Sequence, residues 1–355
     1  MATALFEAGS PDVVYLVDLS SYLLRAYHAV APLSSPSGEP THAVHGTVTM
    51  LERLFRERRP QLLAIAMDSG RATFRRDIFS DYKANRPTAP DDLRVQIRRA
   101  EEIVRASGFT TFKMDGVEAD DLIATVVKRS LEQGLRVVIV GADKDLMQLC
   151  TPDVLLWDTL RNKVFGPPEV EERFQVKPEK LGDLLALMGD SSDNIPGVPS
   201  VGPKTAAELL AEFHDLDGIY AHLDDVKRKK LKETLAANED AARLSRRLVA
   251  LKDDCEIDVS REVLTFGDLS RRDLSTLRAI YEELGFTRQL TQLDKELGKT
   301  GGAVASADRG SAAPAADDSP ASAPASGRSG APRRAAAAAL PPELVLGEDV
   351  LGRVV

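Results

Sequence analysis

Short runs of apolar or β-branched residues alternate with stretches of helical spacing through the first half of the chain. Four runs predict buried strands: Val13–Val17, Leu62–Met67, Thr110–Lys113 and Arg136–Val140. Between them, three stretches show the apolar spacing of helices: 42–57, Leu93–Val104 and Glu118–Leu131. Strands that alternate with helices predict a mainly parallel, twisted α/β sheet with right-handed crossovers.

The pattern changes near residue 178, because the apolar positions from there to residue 297 follow helical spacing alone. One apolar helical run ends at Met188, and a second helical stretch covers Thr205–Phe213. Between them, the segment 197–204 contains two glycines and two prolines. Glycine lets a backbone approach a phosphate closely, and a helix N-terminus offers unpaired N–H groups and partial positive charge. The turn Gly202-Pro203-Lys204 therefore predicts a hairpin that grips one phosphate of a nucleic acid strand.

The composition changes again after Gly298. Residues 299–339 consist mainly of Ala, Gly, Ser, Pro, Asp and Arg and lack the apolar content for a core, which predicts disorder. The last sixteen residues, Leu340–Val355, are more apolar and are interpreted either as an untethered end or as a short docking segment. These changes predict three parts: an α/β domain over 12–177, a helical subdomain over 178–297 and a disordered tail over 298–355.

The composition excludes several classes of protein. A chain of 355 residues with 43% hydrophobic residues can bury a sizeable core. Two cysteines, Cys150 and Cys255, argue against a disulfide framework and suit a reducing compartment. No apolar run approaches the roughly 20 residues of a membrane span, and the N-terminus lacks a signal pattern. We therefore expect a cytoplasmic monomer that makes no contact with a membrane.

The formal net charge of −9 opposes nucleic-acid binding only weakly, because binding depends on where the positive charges lie. In the segment 71–99, eight basic residues against four acids give a charge of +4. A second basic run covers Lys227–Lys232. Each run is either a solvated helix face or a surface that follows a nucleic-acid backbone.

Nine acids recur at loop or helix-start positions: Asp18, Asp68, Glu118, Asp120, Asp121, Asp143, Asp145, Asp190 and Asp193. Any one alone would be interpreted as a helix cap or a first-turn acid. Together they would crowd at the carboxyl edge of the sheet and repel one another, unless divalent cations offset their charge. Mg²⁺ prefers oxygen ligands, and two ions about 4 Å apart can clamp the attacking and leaving oxygens of a phosphodiester. None of the five histidines shows zinc-ligand spacing.

Six further motifs follow one another between residues 12 and 295. They are Asp18-(x)₆-Arg25-Ala-Tyr-His-Ala29, Thr73-Phe-Arg75, Asp81-Tyr-Lys-Ala-Asn-Arg86, Gly116-Val-Glu-Ala-Asp-Asp121, Asp143-Lys-Asp-Leu146 and Gly189-Asp-Ser-Ser-Asp-Asn-Ile-Pro-Gly197. With the hairpin, their order and spacing resemble the 5′-nuclease (flap endonuclease) superfamily, and are most similar to the 5′→3′ exonuclease domain of bacterial DNA polymerase I. The departures are Leu19 and Ser200, where glycine is usual, Leu24, where tyrosine is common, and Arg76, where histidine is common.

The resemblance implies a PIN-like 5′-nuclease fold and an enzyme that cuts DNA flaps and 5′ ends in replication and repair. It implies two or more Mg²⁺ or Mn²⁺ ions, with Asp18, Asp68, Glu118 and Asp120 in one part of the site. Asp143, Asp145, Asp190 and Asp193 would form the other part, with Asp121 nearby. It also implies a K⁺ ion at the hairpin, which would belong to a helix-hairpin-helix-type DNA-binding motif.

The same resemblance assigns the basic stretch 71–99 to a helical arch over the metals. Lys83 and Arg86 would lie near the scissile phosphate, and Tyr82 would stack on a base. The other residues expected to contact DNA are Arg25, Tyr27, Arg75, Gly197, Gly202, Lys204 and Thr205. Apart from the resemblance, if the apolar end of the tail is a docking segment rather than an untethered end, it would recruit a separate DNA polymerase or repair protein.

Two other functions remain open at this point. A PIN-like RNase would explain the acids but would leave the Gly-Pro-Lys hairpin and the helical half unused. A DNA-binding module without catalysis would explain the hairpin, but the complete set of acids would then serve no purpose.

Overall fold

The structure, a computed structural model, describes residues 3–70, 72–266 and 272–305, of which the last seven are described by their backbone alone. Arg71 and most of the predicted tail, including the docking segment Leu340–Val355, lie outside the described residues. A helix covers Thr287–Ala305 and so extends past residue 298, where the tail was predicted to begin.

One six-stranded sheet forms the centre of the molecule, in the order β3-β2-β1-β4-β5-β6. Its strands are β1 (Val13–Asp18), β2 (Leu62–Ala66), β3 (Thr110–Phe112), β4 (Arg136–Val140), β5 (Val154–Asp158) and β6 (Lys163–Phe165). All neighbouring pairs are parallel except β5 and β6. The four predicted strands are confirmed, whereas β5 and β6 were not predicted.

The strand register brings the carboxyl ends of the central strands level with one another. Val17 of β1 pairs with Ile65 of β2 on one side and with Val140 of β4 on the other. Asp18 is the last residue of β1, and Asp143 follows β4 by three residues. The predicted acids Asp18 and Asp143 therefore lie at the same edge of the sheet, where ligand sites are expected in parallel sheets.

Fourteen α-helices are present in the described part of the chain. They are α1 (Leu19–Ala29), α2 (His42–Arg58), α3 (Arg75–Ile78), α4 (Asp91–Ala106), α5 (Ala119–Glu132), α6 (Pro167–Phe174), α7 (Pro178–Met188), α8 (Pro203–Phe213), α9 (Leu216–Ala221), α10 (Lys229–Ala237), α11 (Glu239–Val249), α12 (Arg261–Leu264), α13 (Leu274–Leu284) and α14 (Thr287–Ala305). Short 3₁₀ helices cover Asp145–Leu149 and Leu223–Asp225. The segment 71–99, predicted as a helical arch, contains α3, a turn and the first half of α4.

The two faces of the sheet bury different halves of the chain, because successive side chains of a strand point to opposite faces. Val13, Tyr15 and Val17 of β1 pack with side chains of α1, α2 and α4. Val14 and Leu16 face the other way and join a larger core formed with α5, α7, α8 and α11. The helical half that carries the hairpin is thus part of the same hydrophobic core as the sheet.

Residues up to Leu293 form one compact unit, and the described residues from Asp294 on belong to a second. None of the described helices combines the length and the apolar content that crossing a membrane requires.

Candidate active site

Asp18 begins the candidate site at the end of the central strand. Its side-chain oxygen Oδ1 accepts a hydrogen bond from the backbone N–H of Ser21 at 3.1 Å, so Asp18 caps α1. A Cβ atom placed on Gly141, in the loop after β4, would lie 3.3 Å from the Cβ of Asp18. The glycine therefore leaves room for a carboxylate here, and the cap fixes the direction of that carboxylate.

Asp68 joins the end of β2 to the first turn of α5. Its backbone N–H donates to Ser20 Oγ at 2.9 Å, and its Oδ1 accepts from the backbone N–H of Ala119, also at 2.9 Å. Asp120 follows Ala119 directly in α5. The strand end and the helix start thus hold two acids of the predicted set close together.

Burial and mutual repulsion disfavour the charged forms of three of these acids. Burial first, and then the charges of Asp143 and Asp68, raise the pKa of Asp18 to about 7. Burial and the charges of Asp143, Asp18, Asp68 and Asp145 raise the pKa of Asp120 well above its usual value. Burial and Asp143 likewise raise the pKa of Asp145 to about 7. The predicted crowding of acids at the sheet edge is therefore present.

A second group of acids in the site is paired with basic side chains instead. Lys83 Nζ lies 2.6 Å from Glu118 Oε1 and 3.6 Å from Asp193 Oδ2, and Arg86 also contacts Asp193. Lys144 Nζ lies 2.7 Å from Asp190 Oδ2. Although burial favours the neutral acid, the ammonium of Lys144 holds the pKa of Asp190 below its usual value.

Lys144 was missed by the sequence analysis. It lies between two predicted metal ligands, Asp143 and Asp145, and its ammonium reaches the acid of a distant segment, Asp190. The sequence offered one signal for this role: Lys144 stands between two acids, and a basic residue in that position has carboxylates on both sides with which to pair.

Asp121 and Arg75, predicted to serve metal ions and DNA respectively, are paired with each other in the structure. Asp121 is fully buried, and both of its oxygens accept hydrogen bonds from Arg75, at 2.7 and 2.8 Å. Arg75 is only 2% exposed and has no surface to offer a DNA strand. These two residues form a buried ion pair, so a role of Asp121 at a metal ion or of Arg75 at a phosphate would require exchange of these partners.

Tyr82, which was predicted to stack on a base, is buried in the structure. The side chain is 3% exposed, and its hydroxyl donates to Glu118 Oε2 at 3.0 Å. Burial and the charge of Glu118 raise the pKa of this phenol far above its usual value. The aromatic ring is part of the core that supports Glu118.

Two other residues expected to contact DNA, Arg25 and Tyr27 of α1, have protein partners. Arg25 Nη2 donates to both carboxylate oxygens of Asp158, at 3.2 and 3.0 Å. The hydroxyl of Tyr27 donates to Asp92 at 2.9 Å. A role of either residue in DNA binding would require exchange of these partners.

Gly197 has a structural reason for being glycine that differs from the predicted phosphate contact. A Cβ atom on Gly197 would lie 2.3 Å from the backbone nitrogen of Gly189, and both glycines have positive φ angles. The N–H of Gly197 donates to the buried Oγ of Ser245 at 2.9 Å. This N–H is thus occupied by the protein, and the glycine is required by the close approach of two backbone segments.

The second half of the hairpin is open to solvent. Gly202 precedes α8 and no atom would meet a Cβ placed on it. Gly202 and Lys204 are exposed and Thr205 is half-buried. Ser200, which replaces the usual glycine, has a φ of 63°, in the left-handed region that glycine adopts most readily. Gly202 and Lys204 are therefore accessible to solvent at the start of α8.

Within the described residues, no three His, Cys, Asp or Glu side chains converge tightly enough to hold a metal ion as they stand. The side chains at the site nevertheless suit a hard divalent cation, because their ligand atoms are carboxylate oxygens. Burial and mutual repulsion destabilise the charged form of these carboxylates, and a cation would stabilise it. Asp145 Oδ1 is buried and accepts no hydrogen bond, with the ammonium of Lys144 3.5 Å away. A cation would satisfy this oxygen once the basic side chains released their partners.

Comparison with known proteins identifies the family. Residues 13–175 match the 5′-3′ exonuclease N-terminal resolvase-like domain, and residues 176–272 match the 5′-3′ exonuclease C-terminal SAM fold. A 5′-3′ exonuclease of Aquifex aeolicus (strain VF5) is 37% identical over 282 residues, which cover 79% of this chain and 95% of that protein. The chain belongs to the 5′-3′ exonuclease family. The resemblance and the fold class inferred from the sequence are thereby confirmed.

Some relatives of this 5′-3′ exonuclease family member are larger. DNA polymerase I of Rhizobium leguminosarum is 43% identical over 261 residues, and the chain spans about a quarter of its length, 26%. Among solved structures, a T5 5′-exonuclease with bound zinc ions has a TM-score of 0.60 at 24% identity, covering 77% of this chain and 99% of that one. A catalytic core of Rad2 in complex with DNA has a TM-score of 0.52 at 17% identity, covering 77% of this chain and 88% of that one. These two structures share the fold.

Proposed function

We propose that this chain is a metal-dependent 5′-nuclease that hydrolyses DNA at 5′ ends and flaps. The observation that carries the proposal is the group of acids at the carboxyl edge of the sheet, where the buried Asp18 and the half-buried Asp120 and Asp145 lie close enough for mutual repulsion and loss of solvent to raise their pKa values. Membership of the 5′-3′ exonuclease family supports the same conclusion.

The cofactors in this proposal are two or more Mg²⁺ or Mn²⁺ ions. Asp18, Asp68, Glu118 and Asp120 would hold one part of the site, and Asp143, Asp145, Asp190 and Asp193 the other. When bound, such ions make water a stronger nucleophile and stabilise negative charge on phosphate oxygens. Lys83, Arg86 and Lys144 now neutralise Glu118, Asp193 and Asp190, so each basic side chain must turn away when a cation takes its place.

The released basic side chains have a second use in this mechanism. Lys83 and Arg86, no longer paired with Glu118 and Asp193, would stabilise the charge that develops at the scissile phosphate. Lys83 has a φ of 56° and its N–H donates to the carbonyl of Asp193 at 2.9 Å, which fixes its backbone beside the acids. Its side chain therefore needs only rotation about its own bonds to leave Glu118.

The hairpin would hold the duplex at a distance from the reacting bond. Gly202, Lys204 and Thr205 at the start of α8 would bind one phosphate through backbone N–H groups and the ammonium of Lys204. The same proposal includes a K⁺ ion bound at the hairpin. It also describes a monomeric, cytoplasmic protein that recruits a separate DNA polymerase or repair protein through Leu340–Val355.

Cleavage of a 5′-labelled DNA flap tests the proposal directly. We expect cleavage near the junction in Mg²⁺, no cleavage in EDTA, and little cleavage of single-stranded RNA of the same sequence. Preferred cleavage of the RNA would favour a PIN-like RNase. Tight binding of the flap without cleavage in either Mg²⁺ or Mn²⁺ would favour a non-catalytic DNA-binding module.

A further inference from the structure

Arg75 is a charged side chain that the sequence analysis assigned to DNA and that the fold buries completely. Each of its five N–H donors has an acceptor. Nε donates to the carbonyl of Leu248 at 2.7 Å, and Nη2 donates to the carbonyl of Ala250 at 2.9 Å and to Asp121 Oδ1 at 2.8 Å. Nη1 donates to Asp121 Oδ2 at 2.7 Å and to Glu118 Oε2 at 3.2 Å. A planar guanidinium with five fixed donors suits this site, and a lysine does not.

Asp121 is the counter-ion of Arg75 and has further partners of its own. Oδ2 accepts from the backbone N–H of Glu118 at 3.0 Å, and Oδ1 accepts from the backbone N–H of Lys252 at 2.9 Å. Asp121 thus ties together the start of α5 and the segment that follows α11. Since both its oxygens are fully used, its effect on the site must pass through the residues that it holds.

Glu118 is a proposed metal ligand that Arg75 touches directly. Its Oε2 is shared by Arg75 and the hydroxyl of Tyr82, and its Oε1 faces Lys83. The carboxylate is therefore held by donors on one oxygen and by an exchangeable ammonium on the other. If Lys83 leaves, Oε1 is released, while Arg75 and Tyr82 still fix the plane of the carboxylate.

The other end of the Arg75 network reaches the hairpin. Leu248 lies in the last turn of α11, and Ala250 follows that helix directly. One turn earlier in α11, the buried Ser245 accepts the hydrogen bond from Gly197 at the start of the hairpin segment. A continuous path of buried hydrogen bonds and one helix therefore runs from the hairpin to Glu118.

We propose that Arg75 is a positioning residue that fixes Glu118 relative to the hairpin by joining both to the end of α11. The inference rests on the proposed nuclease function, in which Glu118 holds a metal ion and the hairpin holds the duplex. Arg75 touches neither ion nor DNA in this role. Groups that orient a metal-ligating side chain typically affect metal affinity or activity by about 10- to 100-fold when they are changed.

Arg129 provides a matched control within the same helix as Asp121. It lies in the last turn of α5, and its guanidinium donates to the carbonyls of Cys255 and Ile257, farther along the segment that Arg75 also binds. Both arginines therefore tie the chain after α11 to the rest of the core, but only Arg75 reaches Glu118. Arg129→Lys should lower stability without changing the chemistry, whereas Arg75→Lys should change both.

The experiment compares the two lysine variants with the unaltered chain in three measurements. We expect Arg75→Lys to lower the single-turnover rate on a saturating flap substrate by about 10- to 100-fold. The Mg²⁺ concentration that gives half of the Mg²⁺-induced rise in unfolding temperature should increase by a similar factor. The dissociation constant for the flap in Ca²⁺ should be unchanged, because the hairpin surface remains intact. Arg129→Lys should leave all three quantities as they are.

A double variant that leaves no buried charge unpaired guards against loss of folding. Arg75→Gln combined with Asp121→Asn removes both buried charges, so neither is left unpaired in the core. We expect this double variant to fold and to show the same loss of rate and the same shift in Mg²⁺ dependence.

The proposal is overturned if Arg75→Lys resembles Arg129→Lys, with reduced unfolding temperature but unchanged rate and unchanged Mg²⁺ dependence. Arg75 would then be a structural residue only. Failure of the proposed function would look different, because the unaltered chain itself would not cut flaps. The Mg²⁺ dependence of unfolding would still report on Arg75 in that case.

Discussion

The sheet edge and the hairpin differ in what holds their functional groups. At the sheet edge, the acids are buried or half-buried apart from the exposed Asp68, and each is either repelled by neighbouring carboxylates or paired with a basic side chain. At the hairpin, Gly202 and Lys204 are exposed, and the backbone rather than a network of side chains determines their arrangement. A substitution at the sheet edge should therefore change the chemical step, while one at the hairpin should change affinity.

The largest expected effect comes from removing one charge at the sheet edge. Asp120→Asn should lower the cleavage rate by about 10³-fold, the upper end of what loss of one electrostatic stabiliser costs. Flap binding in Ca²⁺ should survive, because Asp120 would serve cations and would repel the phosphates of DNA. Single-turnover cleavage and equilibrium binding of the same labelled flap measure the two quantities.

The matched control for Asp120→Asn is Asp153→Asn, which removes an exposed acid that precedes β5, away from the carboxyl edge. This variant should cut and bind like the unaltered chain. A cleavage rate near normal in Asp120→Asn would contradict the assignment of this residue to the metal site.

Two lysines provide a direct test of the difference between the regions. Lys83→Ala should slow the chemical step by about 10²-fold with little change in affinity, because Lys83 is proposed to meet charge at the scissile phosphate. Lys204→Ala should weaken binding and make the dependence of log K on log[salt] shallower by about one unit, as expected for one lost phosphate contact. If single-turnover rates at saturation depend more on Lys204 than on Lys83, the two roles are assigned the wrong way round.

The crowded acids also predict how stability depends on pH when divalent cations are removed. In the folded state, the pKa values of Asp18 and Asp145 are raised to about 7, above the usual value near 4. Between pH 4 and pH 7, the folded state therefore binds more protons than the unfolded state. Stability should therefore fall as the pH rises from 4 to 7 and stay low above 7. Mg²⁺ should raise the unfolding temperature more at pH 8 than at pH 5.

Thermal unfolding in EDTA and in Mg²⁺, at several pH values, checks this prediction. The Asp145→Asn variant serves as the control, because it lacks one of the raised groups and should show a weaker dependence on pH. An Mg²⁺-induced rise that is equal at pH 5 and pH 8 would mean that the acids at the sheet edge are not the groups that bind the ion.

The features that depend on spacing could be predicted from the sequence, whereas the contacts that depend on burial could not. The alternation of strands and helices predicted β1 to β4, but β5 and β6 were missed although Val154–Asp158 is as apolar as the predicted strands. Arg75, Tyr82 and Asp121 lie in motifs shared with nucleases, and their residue types suit DNA or metal ions. Their contacts with the segment 248–252 and with Glu118 come from tertiary packing, which no local pattern in the sequence reveals.

The smallest expected effect concerns the hairpin backbone. Ser200 has a φ of 63°, and a side chain in the left-handed region costs roughly 1–2 kcal/mol, partly offset by the greater freedom that glycine has in the unfolded chain. Ser200→Gly should therefore raise the free energy of unfolding by about 1 kcal/mol or less, a shift of about 2 °C in unfolding temperature. Ser200→Ala keeps the Cβ atom and should bring no such gain. Affinity for the flap in Ca²⁺ should be the same in both variants, since the turn keeps its shape. A lower unfolding temperature in Ser200→Gly would show that the turn does not adopt a positive φ at this position.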